Sequence, residues 1–93
     1  MGIYCDDSIF GIRIYNFNDD DLSNTLFEQT YNEIMTDEQK KEAYLFYTKL
    51  NNKNKIFFKF YTKCSSTHDI HNSKEFMDWY PVSLNLFLKE CLN

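Results

Sequence analysis

Glycine, proline and arginine are nearly missing from this chain: Gly2 and Gly11, Pro81, and Arg13 are all it has in 93 residues. So few chain breakers leave little turn punctuation, and mostly regular secondary structure is expected. Two isolated glycines cannot build a phosphate-cradling loop, and no strained nucleophile elbow occurs either. No apolar run approaches the ~20 residues that a membrane-spanning helix requires. Cysteine is sparse and odd in number, and Cys5, Cys64 and Cys91 lie far apart. That count argues against a disulfide framework and fits a reducing, cytoplasmic setting. The opening residues have no basic n-region and no apolar stretch, so no signal peptide is expected.

What the chain does have is aromatic surface. Nine Phe, seven Tyr and one Trp accompany a hydrophobic fraction of 43%, which excludes a disordered tail. One domain spanning residues 1–93 is expected, because the length leaves no room for a second core. The aromatic area exceeds what so small a core can hold. A homodimer or a bound protein is the natural outlet for Tyr and Trp left at the surface.

Charge is divided unevenly. Residues 1–39 carry nine acids against Arg13 alone, a formal −8, while residues 40–93 carry five acids and nine lysines. The nine are Asp6, Asp7, Asp19, Asp20, Asp21, Glu28, Glu33, Asp37 and Glu38. A field of one sign matters chiefly for the choice of partner.

Residues 9–17 alternate, with Phe10, Ile12 and Ile14 on one side and Gly11, Arg13 and Tyr15 on the other, as a half-buried strand does. Ile3 and Tyr4 suggest a short preceding strand turned by residues 5–8. Leu22, Leu26, Phe27, Thr30, Tyr31 and Ile34 recur at helical spacing behind the acidic Asp19–Asp21 start. Thr36-Asp37-Glu38-Gln39 is a capping box for a second helix with Ala43, Phe46, Tyr47 and Leu50 inward. Residues 55–63 give the strongest strand, placing Ile56, Phe58 and Phe60 opposite Phe57, Lys59, Tyr61 and Lys63. A helical turn is expected over Ser73–Trp79 before Pro81, and a last helix capped by Ser83 with Leu84, Phe87, Leu88 and Cys91 inward. These elements make an α+β domain: an antiparallel or mixed sheet of two to four strands with three to four helices packed on it. No internal repeat, low-complexity segment or linker is evident.

Five groupings could carry chemistry. The nine acids are candidate partner-binding residues, although Asp19, Asp20, Asp21, Asp37 and Glu38 are also explained as helix-start residues. Cys64, His68 and His71 have zinc-type donors within eight residues but no paired CxxC, so a polar surface loop with two ordinary histidines is the preferred account. The same loop lacks a defined nucleophile–base pairing. Lys53, Lys55, Lys59 and Lys63 interleave with Phe57 and Tyr61 as in binders of single-stranded nucleic acid, or as in a lysine-protected edge strand. The run Phe76–Pro81 is a protein-contact patch or core packing at a bend.

With its Asn-, Lys-, Ile-, Phe- and Tyr-rich composition, its length and the Asp19–Asp21 and Asp37-Glu38 acids, the chain resembles the Arn-type antirestriction proteins of large tailed phages. The resemblance implies a small acidic dimer that imitates DNA and inhibits a restriction enzyme. The basic C-terminal half departs from that pattern. The expectation from charge and resemblance together is a non-catalytic, stoichiometric inhibitor without cofactor or metal. Its acidic face would block a basic nucleic-acid-binding protein such as a host defence nuclease, with no direct contact to nucleic acid. An immunity protein against a toxin nuclease is the alternative, and a small Cys/His metal enzyme a further one.

Overall fold

In the computed structural model, which describes residues 3–16, 24–51, 53–66 and 75–92, the chain runs through four strands and two α-helices. These are β1 (Ile3–Asn16), β2 (Thr25–Thr30), α1 (Asp37–Thr48), β3 (Ile56–Ser66), β4 (Glu75–Val82) and α2 (Leu84–Cys91), with one 3-10 turn at Lys53–Lys55. The strands form a single antiparallel sheet in the order β2-β1-β3-β4. The α+β class and the antiparallel sheet agree with the sequence. The helix count does not, since two α-helices replace the expected three to four.

Both lost helices became edge strands. Thr25–Thr30 lies beside β1, pairing Phe27 with Ile14 and Glu28 with Arg13. The helical spacing of Leu26, Phe27 and Thr30 is real but accidental. Ladder hydrogen bonds to β1 and the packing of Phe27 on Phe46, with ring centroids 5.2 Å apart, outweigh a weak local preference. Glu75–Val82 likewise pairs with β3 along its own whole length, from Ser65↔Glu75 to Phe58↔Val82. Pro81 fits there because an edge strand can leave the missing N–H toward solvent. In β1, the expected turn at residues 5–8 is instead continuous strand, with register shifts between Cys5 and Ile9 and between Ile9 and Gly11. The second shift puts Ile9, rather than Phe10, into the core.

The element order is ββα twice over, and the two central strands are antiparallel neighbours, so a pseudo-twofold axis runs through the sheet between them. The central strands carry matching tetrapeptides, Ile12-Arg13-Ile14-Tyr15 and Phe58-Lys59-Phe60-Tyr61. This short repeat is hidden in the sequence by Ile/Phe and Arg/Lys exchanges.

Both helices pack on one face of the sheet. Ile12, Ile14, Phe58 and Phe60 point into that layer and meet Ala43 and Tyr47 of α1 and Phe87 and Cys91 of α2. Phe87 stacks on Phe58 with centroids 4.2 Å apart, and Tyr47 sits edge-on to both. Burying one such ring contributes roughly 1.5–3 kcal/mol before packing is counted. Leu84, expected inward, is exposed at the first position of α2, whereas Met35 joins the core unannounced. The caps are as expected. Thr36 and Gln39 close a reciprocal capping box on α1, and the Ser83 hydroxyl accepts from the Leu86 N–H. Lys40 of α1 and Glu90 of α2 join the helices at 3.7 Å.

Candidate binding face

Because side chains alternate along a strand, filling one face of the sheet with core residues sends their neighbours to the other. Register then decides which of those neighbours meet. Arg13 lies between Glu28 and Lys59, and Lys59 next to Pro81. Gly11 lies between Thr30 and Tyr61, and Tyr61 next to Trp79. Tyr15 opposes Phe57, and Lys63 opposes Met77. Among the described residues no helix covers this side. It is a platform of aromatic rings and cations in the middle of the sheet.

The side chains interlock. The Arg13 Nε donates to Glu28 Oε1 at 2.6 Å, and the guanidinium carbon lies 4.3 Å from the Trp79 ring centroid. Trp79 tilts against Tyr61 at 4.9 Å. Glu28, Arg13 and Trp79 therefore make a rib that reaches from edge strand to edge strand. A second group holds Tyr15 and Phe57 at 5.7 Å, with the Lys59 ammonium 5.6 Å from the Tyr15 ring. Tyr15 is buried by these neighbours, whereas Phe57, Lys59, Tyr61 and Trp79 stay half-exposed. Lys63 reaches Glu75 at 3.1 Å on the rim.

Gly11 is required where it stands. A Cβ there would come within 2.7 Å of the Gln29 carbonyl, 2.8 Å of Thr30 Cγ2 and 3.0 Å of Tyr61 Cβ. Beyond it the six residues 31–36 link β2 to α1. They are strapped to β1 by Tyr31 N–H donating to Phe10 O at 2.9 Å and Met35 N–H donating to Ile9 O at 2.8 Å. This link rises beside the platform and forms a cleft of about 410 Å³ with Phe10, Tyr61, Lys63 and Met77.

The acids expected to share a face do not all do so. Glu28 lies on the platform and is paired to Arg13. Glu33 is exposed in the link, and Asp37 and Glu38 occupy the first turn of α1, where they complement the helix dipole. Asp19, Asp20 and Asp21 lie outside the described residues, as do the side chains of Asp6 and Asp7. The helix expected from the spacing of Leu22 to Ile34 is absent, so Glu28 and Glu33 do not share a helical face.

The Cys64 grouping is also corrected. Cys64 is buried in β3 and disulfide-bonded, which leaves no thiolate for a metal or a nucleophile. The backbone of Cys5 stands opposite it in the register. An odd cysteine count argues against a full framework but not against one bond. The Thr62 hydroxyl lies 3.6 Å from the bonded sulfur and, as the partner with a proton, donates to it. His68 and His71 lie outside the described residues, and among the described residues no three His, Cys, Asp or Glu side chains converge on a common point. Cys91 is a free thiol whose pKa burial pushes up to about 12, with Glu90 adding to the rise and Lys40 opposing it. A thiol so held is a core residue rather than a nucleophile.

Sequence reasoning had placed Phe57, Lys59, Tyr61 and Lys63 on one face, and Arg13 with Tyr15 on another. The structure makes these one surface and adds Trp79, which had been assigned to a helix. Among the described residues no helix is long and apolar enough to cross a membrane. No family model matches the chain, and no curated protein or solved structure is significantly similar to it.

Proposed function

We propose that the chain is a non-catalytic binding domain whose open sheet face takes single-stranded nucleic acid. The observation that carries this reading is the pairing of the two central strands. It sets Arg13 beside Lys59 and brings Tyr61, Trp79 and Phe57 within one half-exposed surface. Unstacked bases can lie on aromatic rings, and phosphates can meet the flanking cations. A duplex offers no free base faces to such a platform. This departs from the expectation that nucleic acid is only imitated.

The platform cations are Arg13, Lys59 and Lys63, two of which also hold Glu28 and Glu75. Stacking therefore supplies most of the affinity. With at most three phosphates neutralised, log K should fall with log salt at a slope of roughly −2. Titrating labelled single-stranded and duplex oligonucleotides at low salt tests the reading, with the emission of Trp79, the sole tryptophan, as an internal signal. Single strands should bind at least tenfold more tightly than duplex. Tyr61→Ala or Trp79→Ala should weaken binding by about 1–3 kcal/mol per lost stack. Equal affinity for wild type and both variants would sink the reading, as would no binding at all.

A second reading keeps the inhibitor. It is favoured by Glu33, Asp37 and Glu38, all exposed within a short stretch at the entry to α1. An acidic end of that kind fits a basic, nucleic-acid-binding protein. Displacement of the chain from such a partner by excess duplex DNA is its expected signature, and retention in the presence of that DNA would exclude mimicry.

A further inference from the structure

The cleft between the platform and the 31–36 link is lined by Phe10, Tyr31, Asn32, Tyr61, Lys63 and Met77. Its volume of about 410 Å³ falls within the range of small-molecule sites, roughly 300–1,000 Å³. Tyr61 belongs to both surfaces, lying against Trp79 on one side and lining the cleft on the other. A strand lying across the platform therefore reaches the cleft without leaving the protein.

We infer that this cleft receives one base turned out of that strand and reads its edge through Asn32. The inference rests on the single-strand reading above. Tyr31, Tyr61 and Phe10 supply aromatic walls for a base. The Asn32 amide offers a donor and an acceptor together, the combination that hydrogen-bonds a base edge bidentately. The Lys63 ammonium lies at the rim for the attached phosphate. Its partner Glu75, 3.1 Å away, disfavours a cluster of phosphates, so a single phosphodiester fits better than a free triphosphate. The link is held by two backbone hydrogen bonds to β1, so Asn32 is presented on a fixed wall.

The test uses the full chain, four homopolymer octanucleotides (dA, dC, dG and dT) and the four nucleoside 5′-monophosphates. Wild type should discriminate among the octamers by five- to tenfold. Asn32→Ala, at an exposed position outside the core, should reduce that spread to under twofold with mean affinity within threefold of wild type. Trp79→Ala should do the reverse, lowering mean affinity and keeping the spread. Undiminished discrimination in Asn32→Ala, or none in wild type, overturns the inference while the platform stands. If octamers fail to bind, the platform reading falls. Amide NMR shifts at Tyr31, Asn32 and Lys63 on adding a monophosphate would then support the cleft alone, and unmoved signals would overturn it too.

Discussion

The two ββα halves share an architecture and differ at their joints. In the second half, Ser83 alone separates β4 from α2. In the first, six residues separate β2 from α1, and those extra residues form the cleft wall. The edge strands differ as well. β2 contributes a carboxylate, Glu28, which ties down Arg13, while β4 contributes Trp79, which stacks beside Tyr61. A repeated frame has thus been used once for a tight return and once for a recess. The distinctive surface lies where the repeat is broken.

The largest blow to this pairing of halves falls at Phe87, which is fully buried and stacked on Phe58. Phe87→Ala should cost about 3–5 kcal/mol in chemical denaturation and unseat α2 from the sheet. Next comes Gly11→Ala, where the flanking Gln29 carbonyl cannot retreat without opening the β1–β2 ladder. A loss of about 1–3 kcal/mol is expected, with Tyr61 displaced and oligonucleotide binding reduced. The caps compare the joints directly. Ser83→Ala and Thr36→Ala should each cost about 1 kcal/mol. The shorter α2 should lose more of its amide protection, because it has fewer turns to hold it together.

Alkaline pH separates the helices in another way. The Cys91 thiol has a folded pKa near 12 against an ordinary value of 9.0. Between those values the unfolded chain loses this proton and the folded chain keeps it, so stability is full below pH 9 and declines as pH rises toward 12. Melting curves should show Cys91→Ala declining less over that window than wild type. An identical decline would mean that the thiol is more solvated than its burial suggests. The smallest effect is expected at Glu28→Gln. Removing a half-exposed ion pair should change stability by under ~1 kcal/mol. Oligonucleotide affinity should rise, because Arg13 is freed for phosphate.

Much of this frame could be read from the residues. β3 and the inner part of β1 alternate cleanly because one face is core and the other carries Lys, Arg or Tyr. α1 and α2 announce themselves through Thr36, Gln39 and Ser83. β2 and β4 were hidden for opposite reasons. In β2, adjacent Leu26 and Phe27 break the alternation and imitate a helical stripe. In β4, both faces are apolar or aromatic, since Phe76, Tyr80 and Val82 turn to one side and Met77, Trp79 and Pro81 to the other. The binding face was half legible: strand periodicity orders side chains along one strand, but only register says that Arg13 meets Lys59. Charge is hard to place from sequence for a related reason. It adds along the chain, whereas a carboxylate such as Glu28 is neutralised across strands.

Pro81 makes the two margins of the sheet unequal. A backbone without its hydrogen interrupts the ladder that β4 could offer to another chain, while β2 contains no proline from Thr25 to Thr30. Strand addition therefore has one good margin rather than two. Two copies joined β2 to β2 would leave only interrupted margins outside. In such a pair Pro81 would interrupt the ladder at each outer margin, which disfavours growth into a fibre.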